Sequence, residues 1–222
     1  MVGDMENLKV YVKNEAESKE VRYKTGSRKV YGVGINDIPN ISNINNPDFW
    51  KYKLWKAMIT RCFSKRLKEN NVTYRDVSCD PNWLVFSKFV SDISSVENVE
   101  KYLSHGWHMD KDILIKGNKI YSLETVCFVP NEINKLLINS KKTRGCVPVG
   151  LSVIKVSGKI QVRVSKNGKN VFLGKFNNIE DAFAKYKTEK EKHIKLVAEK
   201  WKGVISRKVY DALISYEVTV ND

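Results

Sequence analysis

The most constraining feature of this chain is a pair of alternating apolar and polar runs, 159–165 and 171–176, joined through Lys166-Asn167-Gly168-Lys169. Asn-Gly supplies the two positive-φ residues that a tight hairpin turn demands, so the two runs are expected to pair antiparallel. A third extended run, 150–156, precedes them across Ser157-Gly158. Asn178 then opens a helical stretch of more than 20 residues with Glu180 and Asp181 in its first turn, as an N-cap and the helix dipole favour. Its apolar stripe runs through Ile179, Ala182, Phe183, Tyr186, Ile194, Val197 and Trp201. Lys190 interrupts that stripe, which suggests a helix that outruns a small sheet. Side chains alternate across a strand. Ile160, Val162, Val164, Val171 and Leu173 should therefore meet the helix, and Gln161, Arg163, Ser165, Asn170 and Phe172 should share an open face.

Charge points to what such a face could meet. Of the formal net +14, the segment 141–208 carries +13, with 18 Lys+Arg against 5 Asp+Glu, and the rest of the chain carries +1. A positive field confined to one module implies a polyanionic partner, because each phosphate contact releases counterions. A nucleic acid is the expected partner and an anionic membrane surface the rival. No run of about 18 apolar residues exists to span a membrane, and the charged N-terminus has no apolar leader region. Cys62, Cys79, Cys127 and Cys146 lie far apart without zinc-ligand spacing, so they read as reduced thiols of a cytoplasmic protein.

The 222 residues allow one large domain or two small ones. Residues 1–45 read as an N-terminal arm or strands, with Tyr11, Val21, Tyr23, Val30 and Tyr31 as its apolar positions. A helix is expected from Asn46-Pro47 to Ser64, with Trp50, Leu54, Met58 and Cys62 on one face, widened by Trp55 and Ile59. Asp80-Pro81-Asn82 starts a second helix that presents Trp83, Phe86, Phe89, Val90 and Ile93. A strand over 107–115, a turn at Lys116-Gly117-Asn118-Lys119, a return strand from Ile120 and a short helix over 129–137 complete an α+β region, 46–138. A basic linker, 139–148, the three-strand-plus-helix domain, 149–205, and a tail, 206–222, follow. The fold class is α+β, with a small three-stranded antiparallel sheet packed on one long helix.

Gly150-Leu151, Gly158 to Val164, Val171 to Phe176 and Asn178 to Tyr186 resemble the ethylene-response-factor (Apetala-type) DNA-binding domain, in its phage and bacterial versions attached to mobile-element nucleases. The resemblance covers about 60 residues and implies that the open sheet enters the major groove. Arg suits guanine, and Gln or Asn suits adenine, so Gln161, Arg163, Ser165, Asn170 and Phe172 are the candidate base readers. Lys155, Lys159, Lys166, Lys169 and Lys175, with Arg144 in the linker, are the candidate phosphate contacts. Phe172 stands where the family usually has tryptophan, and Ser152 and Ile154 stand where its first strand carries arginines.

Residues 31–137 resemble phage proteins classed with HNH-type (homing) endonucleases. The similarity is carried by Gly32 to Asp37, Trp55 to Cys62, Trp83 with Phe86 and Phe89, Met109 to Leu114, Gly117 to Ser122, Glu124-Thr125 and Cys127 to Pro130. Such a site needs a histidine base and one divalent metal. His105, His108 and His193 are the only histidines. Asp110 or Lys111 occupies the position of the usual base, Asn118 matches the central asparagine, and Thr125 and Cys127 replace the helix ligand. His108, Asp110 and Asn118 are therefore the candidate catalytic residues. Asp110 and Asp112, on one strand face, are the candidate ligands for Mg²⁺ or another divalent metal. The resemblance implies a phage-type duplex DNA-binding protein with a degenerate nuclease-like region and no cofactor beyond that metal. The alternatives are an active metal-dependent homing endonuclease and a noncatalytic factor that binds a host protein.

Overall fold

The computed structural model describes residues 29–41, 43–137 and 147–220. Tyr11, Val21, Tyr23, Arg144 and Cys146 lie outside the described residues. The chain is α+β and divides into two compact units. One holds the described residues up to Ser94 together with Lys119–Ser122; the other holds Ser95–Asn118 and the described residues from Leu123 onward.

In the first unit α1 spans Phe49–Phe63 and α2 spans Lys65–Asn70. The first of these starts later than Asn46, because Asn46 spends its side chain on the amide of Asp48 in a local turn (2.9 Å). Ser64 ends α1 and caps α2 by accepting from the amide of Leu67. Trp55, Met58 and Ile59 are fully buried, as are Trp83, Phe86, Phe89 and Ile93. Asp80 caps a 3-10 turn, Pro81–Leu84, and α3 follows as Phe86–Ile93. The expected second helix is therefore two pieces. The buried indoles keep their polar ends satisfied: Trp55 Nε1 donates to the Trp83 carbonyl (2.7 Å) and Trp83 Nε1 to Asp92 (2.8 Å).

Strand β1, Ser78–Cys79, pairs parallel with β3, Ile120–Tyr121. The expected hairpin across Gly117 does not form. Strand β2 is only His108–Asp110, and its antiparallel partner is β4, Cys127–Val129. The strand stops at Asp110 because Asp110 Oδ1 accepts from the amides of Asp112 (2.8 Å) and Ile113 (3.0 Å), which bends the chain. Asp112 therefore does not share a strand face with Asp110. Lys101–His105 forms α4, and Asn131–Leu136 forms α5.

The C-terminal sheet has the order β5-β6-β7, all antiparallel, from Leu151–Val153, Ile160–Lys166 and Lys169–Phe176. The hairpin loop is the two residues Asn167 (φ 52°) and Gly168 (φ 75°), both left-handed, so β6 and β7 each extend further toward the turn than the alternation alone suggested. Helix α6, Ile179–Lys200, starts at Asn178, whose side chain accepts from the amide of Asp181. It packs on the sheet, with Tyr186 beside Gly150, and buries Ala182, Ile194 and Val197 along its length. Lys190 does not mark the end of packing. It is buried, and its ammonium donates to the carbonyl of Leu136 at the end of α5 (2.7 Å). The stem of Lys190 fills core while its charge is satisfied by that carbonyl. Helix α7, Arg207–Ile214, lies against α6 with Val209 and Leu213 buried. Among the described residues no helix is long and apolar enough to cross a membrane.

Candidate nucleic-acid interface

Strand β6 alternates as expected: Ile160, Val162 and Val164 are buried, while Arg163 and Ser165 are exposed and Gln161 is half-buried. Register places the rest of the open face. Gln161 lies opposite Ser152 on β5 and opposite Lys175 on β7. Arg163 lies opposite Phe172, and Ser165 opposite Asn170. Directly opposed residues of an antiparallel pair share a face. The structure therefore gathers Gln161, Arg163, Ser165, Asn170, Phe172 and Lys175 on one open surface. It adds Ser152, whose place follows from buried Leu151 beside it. Phe172 is 52% exposed, a large ring with no cover on the described chain. Val171 shares the helix side with Val164 yet remains 39% exposed, because β7 is the edge strand and the helix shields it only in part.

A β-bulge shapes this surface. Val162 faces Gly174 and Arg163 faces Phe172, which leaves Leu173 unpaired between them. Gly174 has φ +136°, a conformation that favours glycine. The extra residue turns β7 so that Phe172 comes back beside Arg163.

The lysines sort by position. Lys155 and Lys159 flank the β5–β6 connection and are exposed; Lys169 opens β7 at the opposite end, also exposed. Lys166 has the parity of Val162 and Val164, and its ammonium pairs with Glu189 on α6 (2.8 Å), so it is engaged on the helix side. The hydrogen bonds from Lys166 and then Lys185 hold the Glu189 carboxyl down to about 2. No Asp or Glu occurs between Glu132 and Glu180, so the sheet itself carries no negative side chain.

The second candidate cluster lies around β2. His108 is exposed and pairs opposite Val129; Asp110 pairs opposite Cys127. Lys111 is buried, and its ammonium lies 3.1 Å from Asp112 Oδ2. Asn118 reaches the same turn by donating from Nδ2 to the Lys111 carbonyl (2.6 Å). The structure thus brings Asp110, Asp112 and Asn118 together, with His108 two residues away on the exposed side. Burial and the neighbouring Asp112 push the Asp110 carboxyl up to about 7, and burial with both aspartates raises the Cys127 thiol. The candidate metal donors are two carboxylates. One is bound to two backbone amides, and the other already faces an internal ammonium. Among the described residues no group of three or more His, Cys, Asp or Glu side chains could hold a metal. The set does not fit the oxygen-rich shell that Mg²⁺ requires.

The linkage sign at Asp110 follows from its raised value. Its contribution to stability is complete below the unfolded carboxylate value of about 3.9 and is lost as pH rises through about 7. Asp110→Asn keeps the acceptor oxygen and removes the charge. It should stabilise the chain by about 1–3 kcal/mol at pH 8 and change little at pH 4. Thermal melts at the two pH values check this. Destabilisation at pH 8 would show that the fold requires Asp110 as an anion.

No family model, curated protein or solved structure matches the chain.

Proposed function

We propose that the protein binds double-stranded DNA by laying the open face of β5–β7 into the major groove. One observation carries this reading: a sheet face with Arg163, Asn170, Phe172 and Lys175 exposed beside half-buried Gln161, on a stretch of chain with no acidic residue. A two-layer unit normally covers or neutralises such a face. Here the groups are those that donate to base edges and to phosphates. A solvated lysine surface would not require an uncovered aromatic ring beside the arginine.

The reading is that of a noncatalytic binder. Lys111 supplies, within the Asp110–Asp112 turn, the positive charge that a divalent metal would bring to a nuclease centre.

Fluorescence anisotropy of the full chain with a labelled 18-bp duplex tests the proposal. Five or six phosphate contacts give a slope of log K against log salt near −5, so affinity should fall roughly 10³-fold between 50 and 200 mM NaCl. Affinity that does not change across this range would overturn it.

A further inference from the structure

The sheet face holds an arginine whose orientation is already set. With the Gln161 carboxamide turned so that its oxygen meets donors, that oxygen accepts from Arg163 Nε at 2.6 Å and from Nη2 at 3.2 Å. These are the two donors along one side of the guanidinium plane. The outer edge, with one N–H from each terminal nitrogen, is not used by that contact. It is the edge that forms two parallel hydrogen bonds to a planar acceptor pair. Gln161 and Arg163 sit two apart on one strand, so both face the same side of the sheet.

Phe172 lies directly opposite Arg163, brought there by the bulge at Leu173, and is half exposed. An apolar ring beside a fork of donors matches two adjacent bases of different character. The outer edge of the guanidinium fits the O6 and N7 acceptors of guanine. The ring fits a methyl group in the same groove.

We propose that Gln161 is a positioning residue that fixes Arg163 for one guanine, while Phe172 takes the C5-methyl group of the pyrimidine stacked beside that guanine. This rests on the duplex-binding reading and adds sequence specificity to it. Thymine and 5-methylcytosine present the same methyl group, so the recognised element is a methyl-bearing pyrimidine next to guanine. Fixing the fork before binding reduces the side-chain entropy lost in the complex. Gln161 therefore acts on discrimination rather than on charge.

The test uses the full chain and labelled 18-bp duplexes of fixed A·T-rich flanks, each with one central step: TG, UG, CG, 5-methyl-CG, or TG with 7-deazaguanine. TG and 5-methyl-CG should bind about fivefold tighter than UG and CG, and 7-deazaguanine should cost about tenfold. Tight binding of TG without 5-methyl-CG would identify thymine as the source of the methyl group. Gln161→Ala should bring guanine and 7-deazaguanine close to parity with the salt slope unchanged. Gln161→Glu, whose carboxylate accepts the same two hydrogen bonds, should restore the guanine preference. Phe172→Ala should abolish the methyl preference and keep the guanine one. Thermal melting of each variant reports whether it is folded. Equal, salt-dependent binding of every wild-type duplex would overturn this proposal and leave duplex binding standing. A full guanine preference in Gln161→Ala would also overturn it. No binding to any duplex at 50 mM salt would remove the duplex-binding reading itself.

Discussion

Gly150→Ala is expected to destabilise the chain by about 2–4 kcal/mol and to lower its melting temperature by several degrees. Gly150 has φ +79°, a left-handed conformation that costs any other L-residue about 1 kcal/mol. A Cβ there would stand 2.2 Å from the ring of Tyr186 and 2.8 Å from the Arg163 carbonyl. The second neighbour is backbone, and the Gly150 carbonyl in turn accepts from the Arg163 amide at 2.8 Å. Tyr186 is a buried side chain of α6, 3% exposed. Overpacking of this kind adds roughly 1–3 kcal/mol. Gly158→Ala is the matched control. Its φ is similarly positive, at +68°, but nothing lies within 4 Å of the added carbon. Comparing the two melts separates backbone strain from the collision. Equal losses would mean that Gly150 matters only for its backbone angle.

The C-terminal module was largely legible because its signals are local. Alternation in 160–165 assigns faces without knowledge of a partner, Asn167-Gly168 sets the hairpin, and Asn178 caps the helix it precedes. What was not legible depends on distant chain. Ile120–Tyr121 pairs with Ser78–Cys79, some forty residues back, and nothing in either dipeptide names the other. Lys190 looks like a break in an apolar stripe, since periodicity gives a helix face but not the Leu136 carbonyl that waits on it. Asp112 reads as part of a strand face because the local pattern is extended. The bend depends on the Asp110 side chain reaching two amides, a competition that residue types alone do not settle. On the sheet face, the open residues were readable from alternation. The contact between Gln161 and Arg163 and the return of Phe172 through the bulge were not, because both depend on side-chain rotamers and on register.

Two charge reversals of equal size should have very different effects on duplex affinity. Arg163→Glu with Lys175→Glu changes the net charge by −4 on the open sheet face. Lys192→Glu with Lys195→Glu changes it by the same amount on the exposed side of α6. Screening at 0.15 M salt confines each charge to about 8 Å, so position decides the outcome and total charge contributes little. The sheet pair loses a base contact and a phosphate contact and sets two carboxylates against the DNA. That should cost roughly 100-fold in affinity or more. The helix pair alters only the distant field and should cost a few-fold. Among the described residues the side chains of Lys175, Lys192 and Lys195 make no hydrogen bond, and Arg163 meets only Gln161, so both variants should melt close to wild type. Anisotropy titration of one 18-bp duplex with the wild-type chain and both double variants, at 150 mM NaCl, is the most direct test of the open sheet as the DNA-contacting surface. A loss confined to the Arg163→Glu, Lys175→Glu variant is the predicted result; equal losses, or a larger one from the α6 pair, would contradict it.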